Sequence, residues 1–124
     1  MSINKVFISG NLTRDPEEKS TASGTKVMQF GMAVNERRKN MQTGEWDDYP
    51  NFVDVTMFGN RVPYFMDHLG KGCKVFVEGR LRWSTWEKDG QKRSKLDVIA
   101  DEIEAPSGRV EKPEADYSES EIPF

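Results

Sequence analysis

Cysteine occurs once and histidine once in the 124 residues. A lone Cys73 forms no internal disulfide and no cysteine-cluster zinc site, and a lone His68 offers neither a metal site nor a charge-relay group. No apolar run reaches the length of a signal peptide or a membrane span, which points to a soluble, cytoplasmic protein. Hydrophobic residues are sparse, 35% against 31% charged, and the mean hydropathy is −0.75. That balance allows one domain with a real core beside a segment that does not pack. A strong excess of either charge is lacking too, since the net charge is only −3.

The small acidic excess is segregated. Residues 105–124 hold five acids and two bases, which leaves 16 of each in residues 1–104. Within that neutral body, residues 80–95 carry six bases against two acids. A phosphate backbone meets the patch, not the total.

The basic stretch belongs to the most informative segment, Gly72 to Trp86. Val75, Val77, Gly79 and Leu81 share one parity, and Lys74, Phe76, Glu78, Arg80 and Arg82 share the other, the pattern of a half-buried strand. Gly79 breaks the side-chain row, as glycine does where a strand bends or another backbone comes close. Without a bulge, Arg80, Arg82 and Trp86 face one way, and Trp83 faces the other. Cations interleaved with flat rings suit a polyanion with exposed bases. The same pattern also fits a surface strand whose tryptophans cap the edge of the core.

Taken in order, Ile3 to Leu12 reads as a first strand, with Val6, Ile8 and Leu12 on one face and Lys5, Phe7 and Ser9 on the other. Asp15-Pro16 stops it, and the polar run to Lys26 reads as loop. Val27 to Asn35 is a second strand, with Met28, Phe30, Met32 and Val34 inward. Arg37-Arg38-Lys39 opens a polar excursion whose tip is Thr43-Gly44. In the third strand, Phe52 to Phe58, Phe52 and Phe58 share a parity with Asp54 and Thr56, so they sit on a wetter surface. Exposed phenylalanines there serve as a stacking platform or a subunit interface. Asn60 is placed as the N-cap of a short helix that buries Val62, Phe65, Met66 and Leu69 and closes at Gly70. The Gly72 strand turns at Lys88-Asp89-Gly90-Gln91, and Lys92, Arg93 and Lys95 lead a return strand. On that strand Leu96, Val98 and Ala100 alternate with Asp97, Ile99 and Asp101.

Three strands, a short helix and two more strands is the order of an OB-fold, an all-β five-stranded Greek-key barrel with its helix between strands three and four. The expected organisation is therefore a barrel over 1–104 and an acidic tail over 105–124. Pro, Ser and acidic residues make that tail read as disordered. A disordered tail has no local reason to finish on Ile122-Pro123-Phe124 after Glu119 and Glu121.

Together these pieces resemble bacterial and phage single-stranded DNA-binding proteins over nearly the whole chain. The matching segments are Asn4-Lys5-Val6 through Gly10-Asn11-Leu12, Asp15-Pro16-Glu17, Phe52 through Gly59, Val75 through Leu81, Trp86 and the acidic ending Glu121-Ile122-Pro123-Phe124. The resemblance implies a homotetramer that binds single-stranded DNA without sequence preference in replication, recombination and repair, at the nucleoid or replication fork. It places Phe52, Phe58 and Trp86 at stacking positions, with Trp83 as an additional aromatic. It also puts Arg38 where well-studied members stack a tryptophan. Arg37, Arg38, Lys39, Arg80, Arg82, Lys88, Lys92 and Arg93 are the expected phosphate ligands. Glu119, Glu121, Ile122, Pro123 and Phe124 form the expected docking tip for partner proteins. No cofactor, metal or catalytic residue is implied. An OB-fold nuclease would need convergent carboxylates, and Asp15, Asp54 and Glu78 are scattered without a motif. An OB-fold RNA-binding module is the alternative reading; it explains the aromatics but not the tail.

Overall fold

A computed structural model describes residues 1–106. Its elements are β1 (Val6–Leu12), β2 (Glu17–Ser20), β3 (Lys26–Lys39), β4 (Trp46–Phe58), α1 (Val62–His68), β5 (Lys74–Lys88) and β6 (Gln91–Glu104). The sheet runs β1-β5-β6-β4-β3-β2 and closes through β1 and β3, at Asn11↔Ala33 and Leu12↔Met32. All neighbouring strands are antiparallel except β4 and β6, which run parallel at Val55↔Val98 and Thr56↔Ile99. The result is the expected closed five-stranded OB barrel, with β2 added along the edge of β3.

Alternation along most of the strands fills the barrel. Met28, Phe30 and Met32 of β3, Val55 and Met57 of β4, Val75 and Val77 of β5, and Val98, Ala100 and Ile103 of β6 are buried together. α1 lies across one end and adds Val62, Phe65 and Leu69 to the same core. Each such side chain contributes about 1.5–3 kcal/mol of burial. Gly79 is needed because a Cβ there would collide with the Ile99 carbonyl oxygen. Beside it the pairing shifts, with Glu78 opposite Glu102 and Gly79 opposite Ala100. Asp101 is thus the extra residue of a β-bulge, which bends the sheet at that point. The β5–β6 arm ends in a two-residue turn with positive φ at Asp89 (54°) and Gly90 (77°), as the Asp-Gly pair demands.

Four local expectations are corrected. The run before Lys26 is not all loop: Glu17–Ser20 pairs with β3, and as a fully exposed edge strand it carries no apolar period to betray it. Arg37-Arg38-Lys39 does not leave the sheet but continues β3, paired with Asp48, Asp47 and Trp46. The turn beyond it is held by Asn40, whose Oδ1 accepts from the Gln42 and Thr43 amides. Asn60 does not cap α1; Arg61 takes that position without a side-chain bond. A turn from the Gly59 carbonyl to the Val62 amide at 3.2 Å starts the helix instead. Finally, β6 does not alternate at its centre, where Asp97 through Ala100 are all buried and Leu96 is exposed. Side chains from the neighbouring strands, Thr56 of β4 and Arg82 of β5, reach Asp97 on the outward side there, whereas Leu96 lies further out on the arm.

Candidate nucleic-acid interface

Strand register brings the expected residues of three strands onto one outer face. β4 contributes Phe52, Asp54, Thr56 and Phe58, which share one parity opposite the partly buried Val53 and the buried Val55 and Met57. β6 contributes Lys95 and Arg93, and β5 contributes Arg80, Arg82, Ser84 and Trp86. Cross-strand pairing sets Arg80 beside Ile99, Arg82 beside Asp97, Ser84 beside Lys95 and Trp86 beside Arg93. The rings are open to solvent, with Phe52 at 74%, Phe58 at 42% and Trp86 at 43% exposure. Exposed rings at this density need a partner surface, because burying each would release on the order of a few kcal/mol.

The cations on this face have partners of two kinds, rings and carboxylates. The Arg82 guanidinium lies 5.6 Å from the centroid of the Phe58 ring, within cation–π range. Arg80 pairs with Asp101 at 3.4 Å and Lys95 with Asp54 at 3.2 Å. These two pairs are about half exposed, and such pairs contribute about 0–1 kcal/mol. A phosphate can therefore take over their cations at little expense. Arg14, like Lys95 absent from the expected phosphate ligands, joins the face through the loop after β1. Its guanidinium packs against Gly31 and reaches Asp54 at 4.0 Å, beside Phe52. Nothing near Arg14 in the chain marks it, because its neighbours come from β3 and β4.

Other expected residues stand elsewhere. Trp83 pairs with Leu96 on the opposite face of the β5–β6 arm, where both are exposed. Lys92 pairs with Glu87 by the same parity, and Lys88 closes the arm's tip opposite Gln91. On the β3–β4 arm, Arg37 pairs with Asp48 at 3.7 Å and Lys39 faces Trp46. Arg38 lies 4.2 Å over the ring of Tyr49. Its parity opposes that of Phe52. Tyr49 and Trp46 are exposed aromatics that the sequence reading passed over. Glu119, Glu121, Ile122, Pro123 and Phe124 lie outside the described residues.

A second exposed patch differs in character. Phe7 of β1 and Phe76 of β5 project from adjacent strands beside Glu78, Glu102 and Glu104. Lys5 approaches the Phe7 ring, and the Glu78 carboxylate that it hydrogen-bonds raises its pKa. The bulge at Gly79 thus divides the outward row of β5, with Phe76 and Glu78 before it and Arg80, Arg82 and Trp86 after it. Among the described residues, no group of His, Cys, Asp and Glu is placed to hold a metal ion. Among them, too, no helix is long and apolar enough to cross a membrane.

Comparison with known proteins agrees with this geometry. Residues 3–106 match the model of the single-strand binding protein family. The single-stranded DNA-binding protein of Aquifex aeolicus is 44% identical over 101 residues, covering 82% of this chain and 68% of that one. The corresponding protein of Treponema pallidum is 39% identical over 102 residues, 82% of this chain and 57% of its own length. A crystal structure of a deletion mutant of the Thermus aquaticus single-stranded DNA binding protein superposes with a TM-score of 0.73 at 33% identity, over 83% of this chain and 50% of that one. A Plasmodium falciparum SSB complex with ssDNA shares the fold, with a TM-score of 0.72 at 24% identity over 84% of this chain and 93% of that one. With its barrel, its register and its sequence all pointing one way, this chain belongs to the single-strand binding protein family.

Proposed function

We propose that the chain binds single-stranded DNA, without sequence preference, across the outer face of β4, β6 and β5. One observation carries this reading: Phe52, Phe58 and Trp86 stand exposed on the same sheet face as Arg80, Arg82, Arg93, Lys95 and Arg14. Flat rings spaced along a basic track accept bases of any identity, because every base offers a π-face. A duplex keeps its bases stacked inside and would leave these rings uncovered. Arg37, Lys39 and Lys88 extend the positive track along the two arms, whereas Arg38 and Lys92 have the parity of the opposite face. Trp83 faces away from it, and meets only strand that rounds the β5–β6 arm. The relatives named above carry the same function in their names, and this chain spans about half to two thirds of their length.

Titration with oligo-dT, duplex DNA and oligo-U at one stated salt concentration tests the reading. Binding to oligo-dT with tryptophan quenching, and much weaker binding to duplex, is the expected result. Preference for duplex would overturn it, and preference for oligo-U would favour the RNA-binding alternative.

We further propose that the chain assembles through the Phe7–Phe76 patch, as a tetramer. That patch is apolar at its centre, and its rim mixes Glu78, Glu102 and Glu104 with Lys5 and Lys74, which suits a protein surface. The residues beyond 104 form, in this reading, an acidic tail whose Glu119, Glu121, Ile122, Pro123 and Phe124 dock partner proteins in replication, recombination and repair. Phe124 offers a ring for an apolar pocket, and the carboxylates of Glu119 and Glu121 suit an Arg or Lys at the rim. The role is that of a binding protein and not of an enzyme.

A further inference from the structure

Asp97 is the one acidic residue among the described residues that is buried, at 3% exposure, and it lies on the face read here as meeting a polyanion. Its position runs against simple electrostatics. A carboxylate there repels phosphate, and its burial carries a desolvation penalty unless partners offset it. Thr56, itself 2% exposed, donates its hydroxyl to Asp97 Oδ2 at 3.3 Å. Arg82 brings its Nη2 to the same oxygen at 3.5 Å, from the residue directly opposite on β5. Asp97 Oδ1 and Arg82 Nε are buried without a hydrogen-bond partner, so the pair is not optimised for stability.

The geometry has a different effect. Arg82 is 40% exposed in its side chain, while its carboxylate partner is fixed between β4 and β5. Held by one edge, the guanidinium is kept over the Phe58 ring, 5.6 Å from its centroid. A guanidinium carries five N–H donors in a rigid fork, so one edge can be anchored while others face a phosphate. Arg80 makes the contrast clear, since its partner Asp101 is itself half exposed and not enclosed by neighbouring strands.

We infer that Asp97, supported by Thr56, is a positioning residue that locks Arg82 above Phe58 and so pre-organises one combined stacking and phosphate site. The inference rests on the single-stranded DNA reading above. Pre-organisation raises affinity by removing the ordering cost of a long side chain at the moment of binding. The Asp97 carboxylate therefore strengthens DNA binding although its own charge opposes it.

Asp97→Asn tests this directly, because it keeps the shape and the Thr56 bond while deleting the charge. From charge alone the variant should bind oligo-dT more tightly, having lost one repulsive group. From positioning it should bind roughly five- to tenfold more weakly, the scale of one net hydrogen bond. Folding is checked by the thermal midpoint, and the test is closed by a double-mutant cycle with Arg82→Ala. In the Arg82→Ala background Asp97 has nothing to position, so Asp97→Asn should then leave binding equal or tighter. This reversal of sign is one that a merely structural role would not produce. Wild-type binding with an Asp97→Asn variant of equal or higher affinity overturns the inference and leaves the DNA reading intact. Equal weakening with and without Arg82 also overturns it, and a wild-type chain that ignores oligo-dT removes both.

Discussion

Replacing Phe58 by Ala probes the face where it is most crowded. The ring is 42% exposed on the outer face of β4, and the Arg82 guanidinium sits 5.6 Å from its centre. Truncation removes a stacking surface, which contributes about 1–3 kcal/mol per base. It also removes the cation–π support of Arg82, about 0.5–1 kcal/mol at a partly exposed site. The two losses overlap, because a displaced Arg82 is part of the same contact. The expected total is about 1–3 kcal/mol, or roughly fivefold to 150-fold weaker binding at about 1.4 kcal/mol per factor of ten. Fold stability should suffer less than the roughly 3–5 kcal/mol typical of a buried Phe→Ala change, because half of this ring already faces water. Fluorescence titration with oligo-dT at fixed salt measures the first quantity, and denaturant unfolding the second. A folded variant with wild-type affinity would refute the assignment of this face. So would a variant that loses stability and affinity in proportion.

Three further outcomes are expected. Gly79→Ala should lower the thermal midpoint sharply or prevent folding, because its Cβ would meet the Ile99 carbonyl in the β5–β6 bulge; an unchanged melt would show that the bulge yields. Phe7→Ser combined with Phe76→Ser should shift the mass in sedimentation towards the monomer while leaving a folded barrel, and an unchanged oligomer would move the interface elsewhere. Deleting Phe124 alone barely alters charge, so it should abolish capture of partner proteins and leave oligo-dT affinity unchanged; retained capture would argue against a docking tip.

Most of the barrel is legible in the sequence because one side of nearly every strand is dry. Met28, Phe30 and Met32, Val55 and Met57, and Val75 and Val77 repeat with a period of two, and a slip of one residue would turn each set to water. The outer rings Phe52 and Phe58 follow from the same parity. Where both faces of a strand are wet, the signal vanishes. That is why β2 reads as loop, and why the β3–β4 arm from Arg37 to Tyr49, with Trp46 and Tyr49 on it, reads as a polar excursion. The opposite failure occurs at Asp97–Ala100, where both faces are covered and alternation breaks down. Arg14 was illegible for a third reason, since its place beside Asp54 and Gly31 depends on barrel closure and not on its neighbours in the chain. Asn60 offered a strong capping residue, but the Gly59 turn satisfied the helix start first.

The central claim is that single-stranded DNA lies on the outer face of β4, β6 and β5. Photo-crosslinking of bound oligo-dT, followed by mass spectrometry of the adducted residues, locates the strand directly. Adducts on Phe52, Phe58 and Trp86 are the expected result, with Trp83 labelled weakly. Adducts concentrated on Phe7 and Phe76, or on Trp83 in preference to Trp86, would put the DNA on another face and contradict the claim.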